Sequence, residues 1–282
     1  SGGSKGVTTT DIEGAGGYTS GDSYDYFGGT SAAAPIVSSV VALMLEANGE
    51  LGWRDIKEIL ALGAEHTGSA LGDAKSRTEA FAWSINGSTE ANGGGLHFSN
   101  DYGFGQVNAY NSVRIAEVYS LFGEAQASAN ERTTYASGTL NRAIPDGGTT
   151  SFNVNITQDI SVEHVDLTLT LTHANVKDLL VELVSPDGTT SVVLTPGTGA
   201  AKAGSGFVWT FGSEQFLGEM SAGTWTVRIT DTRTGSTGTV ANYRLDVYGA
   251  AADADNVYTY TDEYAKMAAF EEGRTTLSDT DG

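Results

Sequence analysis

The chain has 282 residues, among them 37 Gly and no Cys, which is enough for two compact domains that do without disulfide bonds. Its 35 Asp and Glu outnumber 15 Lys and Arg, and the net charge of -20 argues against nucleic acid or an anionic membrane surface as a partner. No run of about 18 apolar residues is present, so we predict no membrane-spanning segment, and the first six residues lack the charged start and apolar run of a signal peptide.

Residues 1 to about 30 are rich in Gly, Ser and Thr and are predicted to form a loop. A short strand is expected at Val7 to Thr10. Asp22 and Asp25 interrupt the loop, and acidic residues beside Gly and Ser are common in solvated turns.

The stretch Gly28-Gly29-Thr30-Ser31-Ala32-Ala33-Ala34-Pro35 presents a hydroxyl among small residues, and we take Ser31 as a candidate nucleophile. Such a serine needs a neighbouring base, usually an imidazole, to be activated. Apolar spacing from Pro35 predicts a helix that ends near Asn48-Gly49, with Ser31 at its N-terminus. Thr or Ser before a helix with Pro in the first turn is also an ordinary cap, so spacing alone leaves both roles open.

A second helix is predicted from Trp53 to Ala64. Its first turns carry Asp55 and Glu58, where the helix dipole favours acidic side chains. Residues 65 to 101 are polar and rich in glycine, and Gly93-Gly94-Gly95 is their clearest flexible point.

A third helix is predicted from Val107 to Phe122, and it closes a first domain of residues 1–123. Residues 124–148 lack helical or strand periodicity and contain turn residues such as Pro145-Asp146-Gly147-Gly148. They are therefore predicted to be a linker.

From Thr149 the apolar period changes from about 3.6 to two, which predicts half-buried strands. Turn residues separate these strands, as at Ser185-Pro186-Asp187-Gly188. Residues 149–250 are therefore predicted to form an all-β sandwich or jelly roll. The alternating apolar positions include Phe152, Val154, Ile156, Val165, Leu167, Leu169, Leu171, Trp225, Val227, Ile229, Leu245 and Val247.

Residues 251–282 are acidic and rich in tyrosine, a composition that favours a disordered tail. The segments DNVYTYTDEYA and LSDTDG are also similar to the lead-in to calcium-binding repeats of secreted bacterial proteases. No such repeat is present in the sequence, so an array would have to follow Gly282.

Several blocks around Ser31 resemble the serine region of subtilisin-like proteases, and within that group the kexin and furin branch. The blocks are VTTTDI at 7–12, GGTSAAAP at 28–35, LMLEANGELGWRDIKEIL at 43–60 and, less closely, His97 to Gly105. The resemblance implies that Ser31 is the nucleophile, that Thr30 and Pro35 are structural, and that Asp22 and Asp25 lie near the catalytic cleft.

Two later blocks, 178–194 and 222–249, resemble the P domain that follows the protease domain in kexins. The resemblance implies a β jelly roll that stabilises the catalytic domain without supplying its chemistry. The fold expected for the whole chain is thus the C-terminal part of an α/β subtilisin-like catalytic domain, followed by a P domain.

In the resembled family the catalytic Asp and His and the oxyanion Asn precede the serine. All four histidines here, His66, His97, His164 and His173, follow Ser31. We expect His97 to be structural and His164 and His173 to be exposed strand-edge residues, so none is predicted to be the base. The chain is therefore expected to be inert alone, with the missing N-terminal part of the catalytic domain as its partner.

Calcium is the cofactor that the resemblance implies. Asp187 and Asp231 are the candidate ligands in this chain, but their setting favours turn chemistry, and no metal site is assigned. The acidic composition without thiols fits a secreted bacterial protein. The specificity for the residue before the scissile bond is left open.

Three functions are compared. The first is a serine endopeptidase acting on polypeptides through Ser31. The second is a non-catalytic binding or stabilising module built on the β-sandwich, suggested by the absent triad. The third, an esterase of the α/β-hydrolase type, is weak, since GGTSAAA lacks the GxSxG elbow and the strand expected immediately before it.

Overall fold

The computed structural model describes residues 6–198, 203–252 and 257–277. Its first region, residues 6–123, holds three helices and two small antiparallel sheets, in which β1 pairs with β2 and β3 with β4. The elements are β1 (Val7–Thr10), β2 (Ser23–Phe27), α1 (Thr30–Ala47), α2 (Trp53–Leu62), β3 (Ser84–Ile85), β4 (His97–Phe98) and α3 (Ala109–Tyr119). The three predicted helices and the strand at Val7–Thr10 are confirmed, whereas β2 was not predicted.

The helices of the first region share a small apolar cluster. Val40 and Met44 of α1, Ile59 of α2 and Ala116 of α3 are its buried members among the described residues. These four positions follow from the spacing of three to four residues that places apolar side chains on one helical face.

Several large apolar side chains of α1 are not covered by described residues. Ile36, Leu43 and Leu45 keep 41–48% of their surface exposed. By length and composition alone α1 could also cross a bilayer, although core helices of globular domains pass the same test. The absence of a membrane-spanning segment therefore stays a prediction.

Residues 132–251 form two packed antiparallel sheets of four strands, with orders β10-β7-β12-β5 and β6-β11-β8-β9. The predicted sandwich is confirmed, and β6 alternates exposed and buried residues along its whole length, as period two requires. The strands are β5 (Arg132–Ile144), β6 (Thr149–Ile156), β7 (Ile160–His173), β8 (Leu179–Val184), β9 (Thr190–Leu194), β10 (Ala203–Ser213), β11 (Gly223–Asp231) and β12 (Gly238–Ala251).

The core between the two sheets is one continuous cluster of 22 buried apolar residues in the described part of the chain. Trp225 is fully buried in it, and its ring meets the edge of Phe216 with centroids 5.0 Å apart. The Trp225 indole N–H donates to the carbonyl of Ser221 at 2.9 Å, so the buried polar atom is satisfied.

The predicted linker at 124–148 is wrong for most of its length, because β5 lies inside it. β5 pairs with β12 from Arg132↔Gly249 to Ile144↔Gly238. It is an edge strand, and Thr134 and Ile144 are its only positions classed as buried. An edge strand with so few buried positions needs little apolar alternation, which is why the sequence pattern did not show it.

The first region and the sandwich meet through polar contacts, some buried and some at the surface. The Arg54 guanidinium binds the Glu163 carboxylate through two nitrogens, Nε to Oε2 at 2.7 Å and Nη2 to Oε1. Lys57, three residues after Arg54 on α2, binds Glu214 at 2.9 Å. Asn86 donates to the carbonyl of Leu217 at 2.8 Å.

The acidic C-terminal stretch is ordered where it is described. Residues 257–277 contain α4 (Tyr264–Phe270) and a 3-10 turn (Glu272–Thr275), and they lie against the first region. Disorder, which composition favours, is therefore wrong for these residues. Asp253 and Asp255, and residues 278–282 with most of the LSDTDG segment, lie outside the described residues.

Candidate active site

Ser31 lies on a strand-turn-helix unit. β2 ends at Phe27, Gly28 and Gly29 form the turn, and α1 begins at Thr30. Gly29 adopts φ +76° and ψ -169°, a conformation that side chains disfavour, so the glycine is required there. A strand therefore does precede the serine, which corrects one of the two arguments against an esterase, whereas the missing GxSxG motif still stands.

The surroundings of the Ser31 side chain are open. Ser31 is exposed, and so are Ala33 and Ala34 on the following residues of α1. Ala32 instead turns inward and is only 4% exposed. Among the described residues, small side chains therefore leave space beside Ser31.

The backbone at Ser31 suits a developing negative charge. The amides of Ala32 and Ala33 donate to the Gly29 carbonyl at 3.1 and 3.2 Å. The Ser31 amide comes before Ala32 in the first turn of α1. There the N–H groups lack intrahelical acceptors, and the helix dipole favours anions. A carbonyl oxygen that becomes an oxyanion beside Ser31 could accept from this N–H.

Asp22 and Asp25 belong to the hairpin that leads into Ser31. The Asp25 carboxylate accepts from the Thr8 hydroxyl at 2.9 Å, which ties β2 to β1. The Asp22 carbonyl accepts from the Asp11 amide at 2.7 Å. The Asp25 carboxylate and the Asp22 backbone therefore have structural contacts, and the place of both residues near a catalytic cleft stays a prediction.

His66 and His97 lie in an aromatic cluster formed within residues 65–105. The His97 ring lies 5.2 Å from Trp83 and 5.9 Å from His66, measured between centroids. Burial lowers the pKa of His97 to about 4, although the Glu263 carboxylate 3.7 Å away opposes the shift. His97 is thus neutral at pH 7 and held by packing, which agrees with a structural role.

The predicted exposed, strand-edge position of the other two histidines is wrong. His164 lies on the inner strand β7, where its ring nitrogens contact Glu214 at 3.1 Å and Asp166 at 2.9 Å. His173, at the end of β7, is only 2% exposed, and its Nε2 lies 3.5 Å from Asp231. Within the described ranges, the contacts of all four histidines are with residues other than Ser31.

Glu58 has a setting that its sequence position did not reveal. It lines a cavity of about 300 Å³ between the first region and the sandwich. Removal of its carboxyl from water raises the pKa of Glu58 to about 7, although a hydrogen bond with Tyr119 opposes this. Asp55, by contrast, accepts from the Gly52 amide at 2.7 Å and so caps the first turn of α2.

The residues considered for calcium do not fit that ion. Asp231 is 1% exposed, and its two oxygens accept from the amides of Arg233 at 3.1 Å and Gly147 at 3.4 Å. Asp187 lies in a turn closed by the Gly188 amide, which donates to Ser185. The described residues contain no group of three or more acidic or histidine side chains placed to hold a metal.

Comparison with known families gives two separate matches. A profile described as the Subtilase family matches residues 2–105, which include Ser31 and the segment from His97 to Gly105. A profile described as the Proprotein convertase P-domain matches residues 162–247, which lie within the sandwich.

Individual relatives agree with both matches. Neuroendocrine convertase 2 of Drosophila melanogaster is 32% identical over 223 residues, which cover 78% of this chain and 31% of that protein. An extracellular serine protease of Aeromonas sobria is 29% identical over 240 residues, covering 76% of this chain and 38% of that protein. The chain thus spans about a third of the length of these relatives.

A solved structure shares the fold. The Aeromonas sobria serine protease, crystallised with a chaperone, superimposes with a TM-score of 0.73 and 23% sequence identity. The match covers 88% of this chain and 51% of that one. The likeness shows that the helices and the sandwich share their fold with part of that structure.

Proposed function

Since residues 2–105 belong to the subtilase family and residues 162–247 to the proprotein convertase P-domain family, we propose that this chain is part of a secreted serine endopeptidase with Ser31 as nucleophile. The single observation that carries the proposal is the exposed position of Ser31 at the N-terminus of α1, after the turn in which Gly29 adopts a positive φ, inside the subtilase segment.

The reaction is peptide-bond hydrolysis by acyl transfer. The Ser31 oxygen attacks the peptide carbonyl carbon while a base takes the hydroxyl proton. The Ser31 amide donates a hydrogen bond to the oxyanion that forms. Collapse breaks the C–N bond, and the base returns the proton to the leaving amine. Water then attacks the acyl ester through the same base, releasing the acid and restoring the hydroxyl.

We propose that the catalytic Asp and His and the oxyanion Asn come from sequence that precedes these residues in the intact protein. None of the four histidines of this chain has a suitable setting. The exposed apolar face of α1, with Ile36, Leu43 and Leu45, supports a further part of the catalytic domain as its cover. The chain alone is expected to be inert.

The remaining assignments are proposals for the intact protein. We place the catalytic part at residues 1–123 and the P domain at the sandwich, which β5 extends to Arg132. Polypeptides are the proposed substrates, and the extracellular Aeromonas relative supports secretion. Calcium binding also stays a proposal, since the described residues offer no fitting ligand set.

The test uses the intact protein with its complete catalytic domain. Ser31→Ala is expected to lower peptide hydrolysis at least about a thousandfold, because the nucleophile is lost while the fold is kept. A fluorophosphonate probe should label the unchanged protein and not this variant. Ser38→Ala is the matched control, since the Ser38 hydroxyl only donates to the Ala34 carbonyl at 3.0 Å on the same helix.

Full hydrolysis by the Ser31→Ala variant would overturn the assignment. The alternative is a non-catalytic binding or stabilising module, which the separate core of the sandwich favours. It predicts that the intact protein neither hydrolyses peptides nor reacts with the probe, although it contains Ser31.

A further inference from the structure

The chain leaves the sandwich after β12 and returns to the first region. We name residues 257–277 the strap and residues 90–95, which contain Gly93-Gly94-Gly95, the glycine loop. The strap lies outside both segments that match known families. Its contacts with the first region use backbone, acidic and guanidinium groups in turn.

The strap begins by pairing with the glycine loop along the backbone. The Thr259 amide donates to the Glu90 carbonyl at 2.8 Å, and the Asn92 amide donates to the Thr259 carbonyl at 2.8 Å. The Asn92 side-chain oxygen then accepts from the Thr261 amide at 2.8 Å. Asn92 has φ +51°, a conformation that Asn tolerates better than most residues.

Two acidic side chains of the strap bind the first region, one just after α2 and one on α3. The Glu263 carboxylate is buried, accepts from the His66 amide at 2.9 Å and binds Lys266 at 2.9 Å. The adjacent Asp262 accepts from the Asn111 side chain at 2.9 Å. Both contacts join residues more than 150 positions apart in the sequence.

The strap ends in a buried arginine seated in the glycine loop. Arg274 is 2% exposed, and it donates to the carbonyls of Ala91 at 3.1 Å and Gly95 at 2.9 Å. A Cβ at Gly93 would lie 2.4 Å from the Arg274 carbonyl, and one at Gly94 would lie 2.8 Å from its guanidinium. The glycines thus form a seat rather than the flexible point predicted from the sequence.

This seat depends on the strap for its own stability. The guanidinium satisfies loop carbonyls in a place that water does not reach, and burial lowers the pKa of Arg274, although Glu271 opposes the shift. Without the guanidinium, the buried Gly95 carbonyl would lose the donor that Arg274 supplies, at a cost comparable to a lost hydrogen bond. The Ala91 carbonyl would lose one of two donors and keep the Gly94 amide. A glycine-rich segment also has high backbone entropy when unbound.

We propose that the strap is a lock for the glycine loop, so that this part of the catalytic region becomes fixed only when residues from beyond the sandwich dock on it. The family-matched segments alone would then leave the glycine loop unlocked. The strap is synthesised after both of them, so the lock closes last. The proposal rests on contacts of the strap and is independent of the role of Ser31.

Hydrogen exchange followed by mass spectrometry on the intact protein tests the lock. Arg274→Met keeps an unbranched side chain but removes the guanidinium. Amides of residues 90–95 and 259–261 should exchange about tenfold faster or more, while β7 and β12 keep their protection. The matched control is Arg233→Met on the sandwich, where the arginine side chain is 77% exposed, and its exchange should equal that of the unchanged protein.

A second variant covers the case in which Arg274→Met does not fold. Asn92→Gly permits the positive φ but removes the side-chain bond to Thr261, and it should raise exchange in the same two segments by a smaller factor. Unchanged exchange at residues 90–95 in the folded variants would overturn the lock. A uniform increase over the whole chain would also overturn it, because Arg274 and Asn92 would then contribute only to global stability.

Discussion

The sandwich and the first region differ in how far each completes its own core. The sandwich buries 22 apolar residues in one cluster, whereas the two clusters of the first region hold four buried residues each, counted over the described chain. In one of these two clusters the fourth residue, Leu217, comes from the sandwich. The sandwich therefore contributes to the apolar packing of the region that carries Ser31.

The sharing has a physical basis in the contacts between the two. α2 points Arg54 and Lys57 at Glu163 and Glu214 of the sandwich, and the strap adds a second connection through Glu263. Meanwhile α1 leaves Ile36, Leu43 and Leu45 uncovered. The first region depends on contacts with other parts of the protein, whereas the sandwich has a complete core of its own and provides some of those contacts.

The largest effect is expected in the sandwich core. Trp225→Ala should lower the free energy of unfolding by about 3–5 kcal/mol, since a fully buried indole leaves a large cavity. Urea unfolding followed by far-ultraviolet circular dichroism measures this. Trp209→Ala, with the side chain 56% exposed, is the control and should cost much less. Equal losses of unfolding free energy at the two tryptophans would show that the buried core does not dominate the stability of the sandwich.

The next effect concerns the ion pair between the regions. Arg54→Met leaves the Glu163 carboxylate buried without its cation and should cost about 3 kcal/mol in unfolding free energy. Adding Glu163→Gln to this variant should recover part of the loss, because the stranded charge is removed. A double-mutant cycle on the two positions measures the coupling. Independent, additive costs would show that the pair does not connect the regions.

A pH-dependent effect is expected at Glu58. The folded-state pKa of about 7 lies above the usual 4.5, so the protein binds this proton more tightly when folded. The resulting stability is fully present below pH 4.5 and is lost as the pH rises to 7. The free energy of unfolding of Glu58→Gln, relative to that of the unchanged protein, should therefore rise between pH 4.5 and 7 by at most about 3 kcal/mol. Above pH 7 this difference should stay constant.

Unfolding free energies measured from pH 4 to pH 8 check the Glu58 prediction. Glu46→Gln is the control, on an exposed position of α1, and its difference from the unchanged protein should not vary with pH in this manner. A Glu58→Gln difference that stays constant between pH 4.5 and 7 would contradict the shifted pKa.

The smallest effect is expected on the uncovered face of α1. Leu43→Gln should change the stability of this chain by less than about 0.5 kcal/mol, because Leu43 is 48% exposed. In the intact protein the same change should cost about 2 kcal/mol, if the rest of the catalytic domain covers the helix. Urea unfolding of both forms gives the difference. Equal small costs in the two would argue against that cover.

Local patterns predicted most of the elements. Period two identified the strands that form the inner faces of the sandwich, such as β6 and β11, since each buries alternate apolar residues. Helical spacing identified α1, α2 and α3, and the blocks around Ser31 identified the family of its segment. β5 and β2 were missed because their residues are mostly polar and few are buried, so their strand conformation comes from pairing with a neighbour.

The sequence by itself determined the two classes of structure, the place of Ser31 at a helix start and the positions of the four histidines, His66, His97, His164 and His173. Only the tertiary structure decided the burial of His173, the raised pKa of Glu58 and the seating of Arg274 in the glycine loop. Periodicity and motifs are local in the chain. Burial, charge pairing and pKa depend on residues that fold together from positions more than a hundred apart, as with Arg54 and Glu163.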